Sequence, residues 1–184
     1  MIITISGKPG SGKSTVAKLL AKKLGWKRFS AGDARGEAAQ KLGITIDEFN
    51  TRANKDCSLH KFADEMTIRL SKQGNCVMDG WIAWFFLPKS LKVFLNVSPI
   101  IAAKRIFQEQ QIARRPDECV YKTVAEASRT LKKRMKISRS QFMSIYGKKA
   151  DFLNLKNYDL VLNTNRSTPE QTCKEILQNM KREY

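Results

Sequence analysis

Gly7-Lys8-Pro9-Gly10-Ser11-Gly12-Lys13-Ser14 satisfies G-x-x-x-x-G-K-[ST] at every position. Glycines let backbone N–H groups converge on one anion, because no side chain blocks the approach and φ is unrestricted. Lys13 is placed to reach the β- and γ-phosphates of a nucleoside triphosphate, and the Ser14 hydroxyl suits Mg²⁺. Lys8 and Thr15 are supporting contacts, Thr15 toward the α-phosphate. A carboxylate that could share the metal stands further on: Asp79 closes the apolar run Cys76-Val77-Met78. Phosphoryl transfer also needs cations on the side opposite the loop, and arginine's fork matches phosphate oxygens. Arg134 and Arg139 are the candidates. "QIARRPDECVYKT" (111–123) is placed to be the lid that brings them in.

These residues need a scaffold. "MIITIS" reads as a buried strand of β-branched residues. Past the loop, Val16, Leu19, Leu20 and Leu24 recur at helical spacing, so a helix begins near Lys13 and turns its positive end to the anion. "KRFSAGD" (27–33) reads as a second strand running into a loop. Helical stretches then fill 34–73, one of them with Thr45 and Glu48 as a capping box. "NCVMDGW" and "SLKVFLNVS" read as strands, Pro99 opens a helix, and a long helix covers about 123–146 with Val124, Ala127, Leu131, Met135, Phe142 and Ile145 on its buried seam. "YDLVLNT" (158–164) is the last strand. Thr168, Pro169 and Gln171 start the closing helix. Strands alternating with helices imply an α/β three-layer sandwich around a parallel sheet of about five strands, with ligands at the strands' C-terminal ends.

The 184 residues suffice for one domain with its own core. Thirty-four Lys/Arg against seventeen Asp/Glu give +17. Residues 104–149 hold thirteen Lys/Arg and four Asp/Glu, so a quarter of the chain carries +9 of that charge. Such a balance suits a polyanionic partner, nucleotide or RNA, or simply a solvated surface. The four cysteines show no C-x-x-C spacing, which reads as free thiols in a reducing cytoplasm. "MIITIS" has neither the basic nor the long apolar region of a signal peptide, no apolar run reaches membrane length, and a cytoplasmic monomer is expected.

The chain resembles the nucleoside monophosphate kinases, within them the archaeal-type cytidylate kinases. The likeness is nearly full length. It rests on "ITISGKPGSGKSTVAKLLAKKLG", "FSAGDARGEAAQKLG", "VMDGW", "LKVFLNVSPIIAAKRIF", "SIYG" and "YDLVLNTNRSTPEQ". The resemblance implies a P-loop kinase core (1–30, 74–110, 147–184), a helical insertion around 31–73 that binds the nucleoside monophosphate, and a lid with a basic helix at 111–146. It implies transfer of the γ-phosphoryl of ATP, with Mg²⁺, to CMP or dCMP, or to UMP. By position, Gly32 and Asp33 line the acceptor pocket, Arg105 lies against the adenine or reaches its phosphates, Arg134 and Arg139 face the transferring group, and Asn165 and Arg166 sit near the adenine.

Three positions depart from the family pattern. The arginine after "SAGD" comes one place early, as Arg35. Trp81 stands where the family has arginine after Asp-Gly, and Ser138 replaces an acidic residue before Arg139. Each lost charge-assisted contact is worth roughly 1.5–3 kcal/mol, with Arg35, Arg52 or Arg69 as compensating cations. Two alternatives therefore stand beside the leading reading. One is a P-loop kinase acting on RNA, with Trp81 and Trp84 as stacking platforms and Asp33 or Asp79 as base. The other is an ATP-binding module associated with nucleic acid. "WIAWFFLP" (81–88) reads equally as core or pocket wall.

Overall fold

In the computed structural model, residues 1–44, 46–53, 57–112 and 120–183 are described. Strand β1 (Ile2–Gly7) lies at the middle of a five-stranded sheet and is covered on both faces. Its neighbours are β3 (Cys76–Asp79) and β4 (Leu91–Asn96), with β2 (Lys27–Ser30) and β5 (Leu160–Asn163) on the edges, in the order β2-β3-β1-β4-β5. Every pairing is parallel, and the registers Ile5↔Asp79, Gly7↔Leu95, Ser30↔Asp79 and Asn96↔Asn163 bring the C-terminal ends of all five strands to one edge of the sheet. Five parallel strands with helices on both faces are the architecture expected from the sequence.

The strand period of two divides β1 between the layers. Ile3 and Ile5, both fully buried, face α1 (Lys13–Leu24) and α8 (Pro169–Glu183), where Val16, Leu20, Cys173 and Ile176 join Val77, Val93 and Leu95 in one core. Thr4 and Ser6, equally buried, face the other layer and are hydrogen-bonded, as buried hydroxyls must be. Thr4 Oγ1 lies 3.0 Å from Ser90 Oγ, and Ser6 Oγ donates to the Trp81 carbonyl at 2.7 Å. The run "WIAWFFLP" folds into a short helix, α5 (Ala83–Phe86), which the sequence did not signal. Trp84 is buried there with Phe94 and Tyr158, whereas Trp81 is partly exposed at the strand ends.

Helices α2 (Ala31–Lys41), α3 (Ile46–Ala53) and α4 (Cys57–Ser71) lie between β2 and β3, with a separate small core of Ala34, Ala38, Ala39, Phe49 and Ala53. Thr45, the proposed cap of α3, lies outside the described residues. Helix α6 (Pro99–Ile112) precedes α7 (Val124–Tyr146); of the expected lid, residues 113–119 fall outside the described residues. At 23 residues α7 is about 34 Å long. Its single apolar seam serves two partners. Ala127 and Leu131 pack on α6 through Ala103, while Met135 and Phe142 pack around Trp81 and Phe152. The closing helix is capped as expected, with Thr168 N–H donating to Gln171 Oε1 and Gln171 N–H donating to Thr168 Oγ1. Cys76 and Cys173 are buried free thiols.

Candidate active site

The loop after β1 wraps an open helix end. Helix α1 begins at Lys13 behind Gly12, whose φ of +85° needs no Cβ and which offers no side-chain cap. The first intrahelical bond runs from Val16 N–H to Gly12 O, so the amides of Lys13, Ser14 and Thr15 have no helical acceptor, and no acidic residue occupies that turn. Close packing holds the loop in place. A Cβ on Gly7 would stand 2.3 Å from Leu95 O, and one on Gly10 would stand 2.8 Å from Ala102 O. Thr164 Oγ1 donates to Ser11 O at 3.1 Å, and Arg105 donates to Thr164 O at 2.6 Å and to Gly10 O at 3.4 Å. Arg105 and Thr164 thus clamp the back of the loop to the end of β5.

Lys13 Nζ folds over the loop and donates to Lys8 O at 2.9 Å. Burial pushes its ammonium down to about 8, against the attraction of Asp79 and helped by the repulsion of Arg134. Ser14 Oγ donates to Asp79 Oδ2 at 2.9 Å, so the loop hydroxyl and the strand-end carboxylate meet. Asp79 is only 4% exposed and is held from behind by a residue that the sequence did not single out. Arg28, on β2, places Nε 2.9 Å and Nη2 2.8 Å from Asp79 Oδ1, and Nη1 3.0 Å from Asp33 Oδ2. Gly80 lets the start of α2 approach β3: a Cβ there would sit 2.7 Å from the Cβ of Ala31. Gly32 N–H caps back onto Ser30 Oγ at 3.1 Å.

The other wall is aromatic and basic. Trp81 stacks on Phe152 with centroids 5.0 Å apart, meets the edge of Phe142, and carries the Arg134 guanidinium 5.7 Å over its ring. Arg35 lies 5.9 Å over Phe142, and burial lowers its pKa against the pull of Asp64. Tyr146 donates to Asp64 Oδ2, and burial raises the Asp64 carboxyl to about 6. Arg35 on α2, Asp64 on α4 and Tyr146 on α7 therefore form one polar cluster between the insertion and the long helix. None of Asp64, Tyr146, Phe142 and Phe152 was read as a site residue.

The structure brings Lys13, Ser14, Asp79 and Arg134 together, with Asp33 tied in through Arg28. Arg139 points elsewhere, into a two-pronged pair with Asp151 (Nε to Oδ1 2.8 Å), which raises its pKa. Asn165 Oδ1 accepts Ser98 N–H at 2.8 Å, closing the start of α6 onto the turn after β5, and Arg166 is exposed beside it.

This loop, sheet order and helical insertion define a P-loop kinase. The AAA domain family pattern matches residues 3–126, two thirds of the chain. A cytidylate kinase of Pyrobaculum islandicum is 34% identical over 89% of this chain and 84% of its own, and a cytidylate kinase of Sulfolobus acidocaldarius is 36% identical over 96% and 92%. The chain belongs to the cytidylate kinase family, among the nucleoside monophosphate kinases. Its fold is also similar to that of a shikimate kinase from Bacteroides thetaiotaomicron, with a TM-score of 0.67 at 18% identity, covering 98% of both chains. Among the described residues, no helix is long and apolar enough to cross a membrane.

Proposed function

We propose that the chain transfers the γ-phosphoryl of ATP to a pyrimidine nucleoside monophosphate, CMP or dCMP first and UMP next. The observation that carries the reading is the 2.9 Å contact of Ser14 with Asp79 beneath an uncapped helix start topped by Lys13. The site fits both the nucleotide tail and the metal: free amides and a buried ammonium for phosphate, a hydroxyl and a carboxylate for Mg²⁺. When bound, Mg²⁺ neutralises charge on the phosphate oxygens.

The residues divide the work by position. The amides of Gly12–Thr15 and Lys13 Nζ hold the triphosphate tail, with Gly7, Lys8, Pro9, Gly10 and Ser11 shaping the loop around it. Arg134 faces Lys13 across the γ-phosphate position and supplies charge there. Arg139 joins it by exchanging Asp151 for a phosphate oxygen. Arg105, Asn165 and Arg166 border the adenine side. Gly32, Asp33, Arg35 and Trp81 border the acceptor side. An acceptor phosphate oxygen attacks the γ-phosphorus in line, the new P–O bond forms as the bond to the β–γ bridging oxygen breaks, and the electron pair leaves on ADP. The attacking oxygen is already anionic, so no general base is required; positioning and charge neutralisation lower the barrier. The burial of Trp84 in the core and the stacking of Trp81 on Phe152 support a nucleoside monophosphate over RNA as acceptor.

Incubation with Mg·ATP and a panel of ribo- and deoxyribonucleoside monophosphates, with total RNA in parallel, tests the reading. CDP or dCDP formation well above ATP hydrolysis is expected. Label transferred to RNA, or hydrolysis with no acceptor dependence, would overturn it.

A further inference from the structure

Arg28 contacts the one carboxylate that Ser14 also touches. Its Nε and Nη2 both point at Asp79 Oδ1, leaving only the Oδ2 edge for Ser14, while Nη1 reaches Asp33 on α2. The Arg28 and Asp79 side chains are 18% and 5% exposed, so water screens their attraction weakly; Asp33, 72% exposed, adds less. Without nucleotide Arg28 and Lys13 offset the charges of Asp79 and Asp33, so no net negative charge remains there to attract a bare dication.

We infer that Arg28 is a positioning residue that keeps divalent metal off Asp79 until a nucleotide tail arrives, so that metal enters only with its phosphate. The proposal rests on the reading of Ser14 and Asp79 as the metal side of the site. Arg28 acts through Asp79 by two effects. It fixes the carboxylate plane with two N–H donors on one oxygen, and it cancels the charge that would attract a free cation. The triphosphate then supplies the negative charge that Arg28 has removed, and the Oδ2 edge remains available beside Ser14. The same guanidinium holds the first turn of α2 against β3, which links the acceptor insertion to the metal carboxylate.

Electron paramagnetic resonance of Mn²⁺ titrated into the nucleotide-free full-length protein reads this directly. Wild type and Arg28→Lys, which keeps the charge, are expected to bind free Mn²⁺ weakly. Arg28→Met is expected to bind it at least tenfold more tightly, and adding Asp79→Asn to that variant is expected to abolish the gain. Equal Mn²⁺ affinity in wild type and Arg28→Met would overturn the proposal, as would a gain that survives Asp79→Asn. Circular dichroism melts of each variant confirm that folded protein is being compared. A separate arm titrates Mn·ATP into wild type; failure to bind there would sink the kinase reading itself, a result distinct from the behaviour of Arg28.

Discussion

The Arg134 guanidinium rests 5.7 Å over the Trp81 ring and acts on Lys13 from there, lowering its pKa. An indole at a position where the resemblance implies arginine thus holds a cation rather than replacing one. Phe152 and Phe142 fix the plane of that indole, and Ser6 Oγ and Trp84 Nε1 both donate to the Trp81 carbonyl. A cation over tryptophan is worth about 0.5–2 kcal/mol. Trp81→Leu should lower kcat roughly 2- to 30-fold with little change in the KM for ATP, and Trp81→Phe should recover much of it. The leucine variant should also melt lower, because it loses two ring contacts of about 0.5–1.5 kcal/mol each. Arg134→Met should lower kcat with a smaller fall in Tm than Trp81→Leu, since the Arg134 side chain is exposed and only the cation–π contact is lost. Steady-state kinetics and thermal melts together check both halves.

Lys13 carries a measurable proton signature. Its folded pKa of about 8 lies below the ordinary 10.5. The unfolded chain therefore binds the extra proton between these values, and stability gains from this group as pH rises from 8 toward 10.5. A bound triphosphate tail reverses the shift, because an anion beside the ammonium favours its charged form. ATP binding near pH 8 should then take up about half a proton per site, and affinity should weaken as pH climbs above 8. Calorimetry in buffers of different ionisation enthalpy measures the uptake. Lys13→Met should abolish both uptake and tight binding while leaving the nucleotide-free protein at least as stable at pH 7.

Much of this site could be read from the chain because its chemistry is contiguous. Lys13, Ser14 and the glycines lie within eight residues, and a carboxylate closing an apolar strand has few other uses beside such a loop. Arg28 could not be read this way: its partner Asp79 is 51 residues away, and an arginine on a short edge strand looks like a solvated side chain. Tyr146 and Asp64 are 82 residues apart, and nothing local marks either one. Arg139 was legible as a cation, but its pairing with Asp151 depends on the turn that follows α7. The seam of α7 holds for Val124, Ala127, Leu131, Met135 and Phe142, while Ile145 is only half-buried and outside both clusters; the seam's division between α6 and the Trp81 cluster required the sheet to be in place. The unbroken apolar run 81–88 has no period that separates a buried strand from a one-turn helix.

Asp64 should make stability depend on pH in the opposite sense to a surface carboxylate. Burial lifts its pKa from 3.8 to about 6, while the Tyr146 hydrogen bond and the Arg35 charge pull it down. The folded state therefore holds the proton more tightly, and this group's contribution is fully present below about pH 4 and is lost as pH rises through 6. Asp64→Asn lacks that slope. The Tm of Asp64→Asn minus that of wild type should thus increase between pH 4.5 and pH 7, by a few degrees. A difference that stays flat or falls over the range would contradict the placement of Asp64 between α4 and α7.

Two glycines of the loop should fail in different ways. At Gly7 a Cβ would meet Leu95 O at 2.3 Å and Ser11 Oγ at 2.9 Å, with φ already at +148°, so Gly7→Ala must move β4 or the loop itself. The cost expected is at least about 3 kcal/mol, from a backbone clash added to strain. Gly12→Ala meets nothing within 4 Å and bears only its φ of +85°, roughly 1–2 kcal/mol. On the proposed reading, its Cβ instead enters the space that the phosphate oxygens would occupy at the start of α1. Gly12→Ala should therefore purify as a folded protein with a modest drop in Tm and a loss of ATP affinity of tenfold or more, whereas Gly7→Ala should lose folding and binding together. Urea denaturation paired with nucleotide titration separates the two; comparable stability in both variants would mean that Gly7 does not pack against β4 as closely as the structure places it.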